Sequence, residues 1–291
     1  MQIAVHSCLF LFCFVAAAPP LCSQPSEAAP EMQQAAPTDS ESANQTQARS
    51  PQAPPDIIAA VPNRPTFATT AESVQRGVFE IEYGLEAASR HQNINGLLKW
   101  GALGTLELRF NNNPVQRDAG VAGTGDSGAG FKYKIISQSK TLPTFSILYT
   151  ATVPTAPASR GAGAVGHSIQ LLASKDFGKH HFDVNEGVQF VGQHGASGFD
   201  RNYFTALSYS YPFTKKWGIT GELAGFSRTN AAIPATMTVL ESVTFSPSPR
   251  LVLDAGGYFA AYGNLPRFTF TAGVTYAIAD LYHLSRGKNK K

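Results

Sequence analysis

From residue 77 onward the chain alternates with a period of two. In GVFEIEYGLEA, residues 77–87, Phe79, Ile81, Tyr83 and Leu85 interleave with Glu80, Glu82, Gly84 and Glu86. Successive side chains of a strand point to opposite faces, so this stretch predicts a strand with one apolar and one acidic face. At 3.6 residues per turn the glutamates would be spread around a whole helix.

Similar apolar sets recur along the body. They are Leu98 and Trp100; Leu106, Leu108 and Phe110; Ala129, Phe131, Tyr133 and Ile135; Phe145, Ile147 and Tyr149; and Ile169, Leu171 and Ala173. The second half continues with Phe182, Val184, Val188 and Phe190; Leu207, Tyr209 and Tyr211; Trp217, Ile219 and Leu223; Val239, Val243 and Phe245; Leu251, Leu253 and Phe259; and Phe268, Phe270, Val274, Tyr276 and Ile278. The pattern predicts about twelve strands, each close to the ~10 residues that a tilted membrane-crossing strand needs.

The connections carry a second signal, because their lengths alternate. Long ones are expected near 88–94, 111–125, 154–166, 193–200, 227–234 and 260–266, and tight ones near 101–104, 138–143, 175–179, 212–216 and 247–250. Outer-membrane barrels pair long outer loops with short periplasmic turns, whereas a sandwich has no reason to do so. All the prolines beyond residue 66 fall in expected connections, as strand chemistry asks. The expected fold is all-β: a transmembrane antiparallel up-and-down β-barrel of about 12 strands, preceded by a disordered arm. An even strand count puts both of its ends on the short-turn side.

Composition agrees with this reading. Charged residues make up 15% and hydrophobic ones 43%, with 26 glycines. The net charge of +3 is too mild to suggest a nucleic-acid partner. The three cysteines, Cys8, Cys13 and Cys22, all precede the body, so the body has no disulfide framework, cysteine metal site or thiol nucleophile. SCLFLFCFVAAA at 7–18 reads as the apolar core of a signal peptide spanning 1–23, too short to cross a bilayer. Residues 24–63 are rich in Ala, Pro, Gln and Ser and predict a disordered periplasmic arm. The barrel is expected over 64–282, with a basic tail at 283–291.

Opposite the apolar rows lie Glu80, Glu82, Glu86, Lys99, Glu107, Arg109, Lys132, Lys134, Asp183, Glu222, Asp254 and Arg267. On a barrel these are the candidate lumen-lining residues, with both signs present and cross-lumen ion pairs expected. Glu186 and Glu241 fall on the apolar face, which places them near the headgroups or calls for a bulge. No catalytic, cofactor-binding or metal constellation emerges. His167 and Ser168 are adjacent, so a strand turns them to opposite faces. GAGAVG at 161–166 has no helix after it to hold a dinucleotide.

Four motifs in order resemble the outer-membrane barrel family named for the MetA pathway of phenol degradation. They are NRPTFATTAESVQRGVFEIEYGL, LLKWGALGTLELRF, GTGDSGAGFKYK and VPTA at 153–156, where Ala156 stands in place of the family's glycine. The resemblance covers roughly 64–282. It implies a barrel in bacterial outer-membrane lipid that passes small, often hydrophobic or aromatic, molecules without enzyme activity, cofactor or energy source. Insertion would rely on the barrel-assembly machinery, which usually reads a terminal aromatic residue. Here HLSRGKNKK follows the last strand, leaving Tyr276 or Tyr282 to be read internally. The alternatives are a structural or surface-interaction barrel with a plugged lumen, and a soluble exported β-protein. The oligomeric state is not encoded in any of these patterns.

Overall fold

The computed structural model describes residues 57–157, 161–193, 195 and 198–283. The expected signal peptide, the arm up to residue 56 and the tail beyond His283 lie outside the described residues. The strands are β1 (Val78–Ala88), β2 (His91–Gly101), β3 (Leu106–Asp118), β4 (Val121–Gly123), β5 (Ser127–Ile136), β6 (Thr144–Val153) and β7 (Gly166–Phe177). They continue with β8 (His180–Gly192), β9 (Phe199–Pro212), β10 (Trp217–Phe226), β11 (Thr236–Ser248), β12 (Leu251–Tyr262) and β13 (Phe268–Asp280).

Every pairing between these strands is antiparallel, and β1 pairs with β13 to close the sheet. β4 is a short extension that pairs only with the tip of β3, while β5 pairs with the lower part of β3. Leaving β4 aside, twelve strands form the closed wall, as expected. Closure joins the first and last wall strands, so the strands draw their backbone partners from one another rather than from water.

Two outer connections differ from expectation. β1 and β2 are joined by Ser89 and Arg90 alone, and β3 runs on to a tight turn at Ala119–Gly120. Apart from Ile94 and Val115, both stretches are largely polar on both faces, which weakens the alternation that marks a strand in sequence. Pro114 sits inside β3, at a register shift between Ile94 and Gly96 of β2. Its missing N–H is tolerated there because the ladder is already interrupted.

The two faces separate by burial. Along β7, Leu171 is 59% exposed and Leu172 is 1% exposed, although they are neighbours. Exposed apolar side chains cover the outer surface on most of the wall strands. Aromatic groups mark both rims: Phe131, Tyr149, His167, Phe190 and Phe199 near the outer loops, and Phe177, His180, Phe182, Tyr209 and Tyr211 near the short turns. An apolar band between two aromatic girdles is what a lipid bilayer requires of a barrel. A soluble protein would gain nothing from such a surface.

Glu186 and Glu241 also face outward, at mid-strand, and the ladders run without a shift at either residue. Thr205 donates its hydroxyl to Glu186 at 2.7 Å, which partly satisfies that carboxylate. The register therefore needs no bulge to explain them.

A substitution on the outer face tests this placement. Leu171→Lys should weaken folding into lipid vesicles by about 2–4 kcal/mol, the order expected for lysine near a bilayer midplane. Urea titration of folding, read by heat-modifiable gel mobility, measures it. A soluble β-protein would lose nothing from a charge at so exposed a position.

Candidate functional site: a strapped lumen

The inner face is not an open channel wall. Residues 58–76 run inside the barrel as an irregular strap before the chain enters β1 (Ala68, Ala71 and Val74 are 1%, 0% and 0% exposed). The strap has no ladder of its own, so its backbone N–H and C=O groups must find partners elsewhere. Inward side chains of the wall supply many of them.

Starting at the short-turn end, Ala60 donates its N–H to the carbonyl of Pro249, in the β11–β12 turn. Glu80 accepts the N–H of Val61 at 2.8 Å, and Glu82 accepts that of Asn63 at 3.0 Å. Tyr258 donates its hydroxyl to the carbonyl of Pro65. On the far wall, Glu222 accepts the N–H groups of both Phe67 and Ala68, at 2.9 and 2.6 Å. Asn185 grips Thr69 at both its N–H and its carbonyl. Ser174 accepts the N–H of Ala71 at 2.7 Å, and Ser146 donates to its carbonyl at 2.5 Å. Lys132 donates to the carbonyls of Thr70 and Glu72, and Glu107 accepts the N–H of Val74. The strap thus passes β1, β12, β10, β8, β7, β6, β5 and β3 in turn, making a circuit of the inner wall.

Beneath it the charges are paired. Lys99 bridges Glu80 at 2.5 Å and Glu82, and also donates to the carbonyl of Val61. Glu107 is shared between Arg109 at 3.2 Å and Lys132 at 3.4 Å. Glu72, on the strap, takes Lys134 at 3.0 Å and the hydroxyl of Thr144. Four carboxylates and four cations therefore balance along β1, β2, β3, β5 and the strap. Taking charges out of water is expensive, and only such mutual pairing with added hydrogen bonds offsets it.

Arg64 is the strap's deepest cation. Its guanidinium bonds Thr271 at 2.8 Å and Asn95 at 2.5 Å, and lies 3.8 Å from Asp254. It rests on Gly84 of β1 and Gly273 of β13, where any Cβ would overlap it. Phe67 packs nearby against Phe226 and Tyr258, with ring centroids 5.3 and 5.1 Å apart.

Of the twelve residues expected on the inner face, Glu80, Glu82, Lys99, Glu107, Lys132, Asp183, Glu222 and Asp254 are buried inside the wall. Glu86, Arg109 and Lys134 are also turned inward by the register, with Glu86 accepting from Asn95 at 2.7 Å. Arg267 is exposed in the connection before β13 and stands apart from the others. Asp183 serves indirectly: it accepts from Ser174, the hydroxyl that holds Ala71.

The expected arm, 24–63, overlaps the strap, since residues 58–63 make defined contacts inside the wall. Arg64, Glu72, Gly84 and Gly273 are site residues that the alternation alone does not mark. The available signal was two inward glycines on strands adjacent in the closed barrel, which leave room for one large side chain.

On the outer-loop side of the strap the lumen holds a cavity of about 560 Å³. Arg64, Phe67, Glu86, Arg109, Thr150 and Gln170 are among its lining residues. Asp126 holds part of the loop above it by accepting the N–H groups of Ala156 and Ala162, at 3.0 and 2.9 Å.

The closed wall, apolar outer band and aromatic rims define a bacterial outer-membrane β-barrel with a strapped lumen. No protein-family profile matches the sequence, and no curated protein matches it. Solved structures do share the fold. The NanC porin aligns with a TM-score of 0.54 at 10% identity, over 69% of this chain and all of that one (100%). An outer-membrane channel from Pseudomonas putida F1 aligns with a TM-score of 0.55 at 13% identity, over 70% of this chain and 96% of that one.

The glycine saddle offers a test of how the strap is anchored. Gly273→Ala should push Arg64 off its partners, at a cost of about 1.5–3 kcal/mol for hydrogen bonds to a charged group. Amide exchange of residues 58–76 should then speed up by roughly 10- to 100-fold, while the wall strands keep their protection. Unchanged protection of the strap would show that Arg64 does not anchor it.

Proposed function

We propose that the protein is a passive outer-membrane channel for small molecules, with the strap as its gate. The observation that carries this reading is the cavity of about 560 Å³ whose floor is the strap itself. A solute arriving from the outer-loop side meets residues 63–69 there, and goes further only when the strap shifts. The likeness to a porin and a channel supports the barrel kind.

The resemblance seen in the motifs implies hydrophobic or aromatic solutes. The cavity argues for a different class. Phe67, Leu97 and Leu148 are there, but Asn95, Asn111, Asn113, Thr150, Thr152, Ser168, Gln170 and Gln189 line it too. Such groups replace a solute's lost water, which an apolar solute does not need. We therefore read the preferred solutes as polar. Membership in the phenol-pathway family belongs to this proposal, as does insertion by the barrel-assembly machinery. Near the chain's last strand Tyr282 packs on Trp100, with ring centroids 5.7 Å apart, and donates to the carbonyl of Ala102.

A second reading is a structural barrel plugged for good, favoured by how many of the strap's backbone groups are satisfied. A reversible tether separates the two. The body carries no cysteine, so Ala71→Cys with Leu172→Cys places a unique pair where strap and wall pack together. In planar bilayers the reduced protein should show single-channel steps, and oxidation should abolish at least about nine-tenths of the current. Equal current in both states removes the strap as gate. Silence of the reduced and the unaltered proteins alike favours the permanent plug.

A further inference from the structure

Resting on the channel reading, we infer that the cavity contains a binding station for a small polyhydroxylated carboxylate, with Arg109 as its anionic-group clamp. The guanidinium of Arg109 has a side-chain exposure of 8% and lines the cavity. Its Nη1 donates to Glu107 at 3.2 Å. Among the described residues its Nε and Nη2 make no hydrogen bond, so most of its donor fork is unspent. Glu107 does not depend on Arg109 alone, because it also holds Lys132.

The ladder extends the site. Arg109 pairs with Gly130, Gly130 with Thr150, Thr150 with Ser168, and Ser168 with Gln189. These five residues form one inward row across β3, β5, β6, β7 and β8. Neighbouring strands lie about 4.8 Å apart, so the row spans roughly 19 Å. Its second position, Gly130, has no side chain and is closed over by the backbone of Tyr149, so a carboxylate reaches the guanidinium from the cavity side. Its third and fourth positions are hydroxyls, and its fifth is an amide. Among the described residues the side chains of Thr150, Ser168 and Gln189 make no hydrogen bond. Beside the row, the buried Oε1 of Gln170 has no partner either, which leaves an acceptor for a solute hydroxyl. A planar fork at one end suits a carboxylate held through two bonds. The hydroxyls and amides beyond it suit alcohol groups carried on the same solute, which a small molecule meets at the near part of the row.

The other charges around the cavity fit this arrangement. Arg64 is committed to Asn95, Thr271 and Asp254, and Glu82 to Lys99. Glu86 lies four residues beyond Glu82 along β1, toward the outer loops, and leaves Arg109 as the cation with donors to spare.

Gluconate is a suitable probe and sorbitol its neutral counterpart of similar size. Calorimetry on the full-length folded barrel should detect gluconate binding, with sorbitol at least about tenfold weaker. Arg109→Gln should lower gluconate affinity by about tenfold or more, the scale of a lost charge-assisted pair. Arg109→Lys should recover only part of it, because a point charge lacks the fork. Thr150→Val should weaken gluconate binding without altering any charge, which covers the case in which the Arg109 variants fail to fold. Equal binding of the two probes, or gluconate affinity unchanged in Arg109→Gln, overturns the station. Because calorimetry does not require passage, a barrel that binds gluconate yet never conducts would refute the channel and leave the station standing.

Discussion

Everything inside this barrel follows from one constraint: an irregular peptide segment has been placed where there is little water to satisfy its backbone. Each unpaired buried N–H or C=O costs a few kcal/mol, and the strap brings many of them. The wall answers with carboxylates toward the N–H groups and ammonium groups toward the carbonyls. Glu222 spans two successive N–H groups, and Lys132 reaches two carbonyls. A neutral wall could satisfy part of this demand, as Asn185 does at Thr69. Charged acceptors and donors do it with stronger bonds.

That solution creates a second problem, because buried charges must themselves be neutralised. The register of the wall solves it. Glu80 on β1 faces Lys99 on β2, Lys99 faces Arg109 on β3, and Glu107 faces Lys132 on β5. Glu80 with Lys99 and Glu107 with Lys132 set opposite signs side by side, and the like-charged neighbours Lys99 and Arg109 are each held by a carboxylate, so these charged groups all have partners in the wall. The acidic face of the first strand is therefore not a solvated pore lining. It is half of an ion-pair network whose other function is to hold a peptide.

The sequence made the wall legible and the strap nearly invisible, for a physical reason. A strand's environment repeats every two residues, so Phe79, Ile81 and Tyr83 reveal lipid on one side, and Glu80 and Glu82 reveal something polar on the other. The alternation fades where both faces meet water, and for that reason β1 and β2 reach further toward their turn than the pattern around 88–94 indicates. The strap has no period at all. Its partners lie from 16 to 208 residues away in sequence, so no local pattern records them. Twelve inner-face residues could be named from spacing, and eleven of them do turn inward. What they face could not be named. Arg267 stands apart from them, exposed in the connection just before β13 begins at Phe268.

The way the strap is held also bears on how it could move. A strand in a sheet is released only by breaking a continuous ladder, which is cooperative. The strap is instead held by separate side chains on nine strands, most engaging one or two backbone groups. Such anchors can open one at a time, so sub-global release costs far less than unfolding the wall. Residues 63–69, which floor the cavity, are held mainly by Glu82, Arg64's own contacts, Tyr258, Glu222 and Asn185. Residues 70–74 are held by a separate set that includes Lys132, Ser174, Ser146 and Glu107. Only the second of these parts runs directly into β1, and the chain is fixed there by the backbone bonds of Gly77 to Gly101 and Leu281. A gate built this way would swing from its β1 end, leaving the barrel wall and its ion-pair network in place.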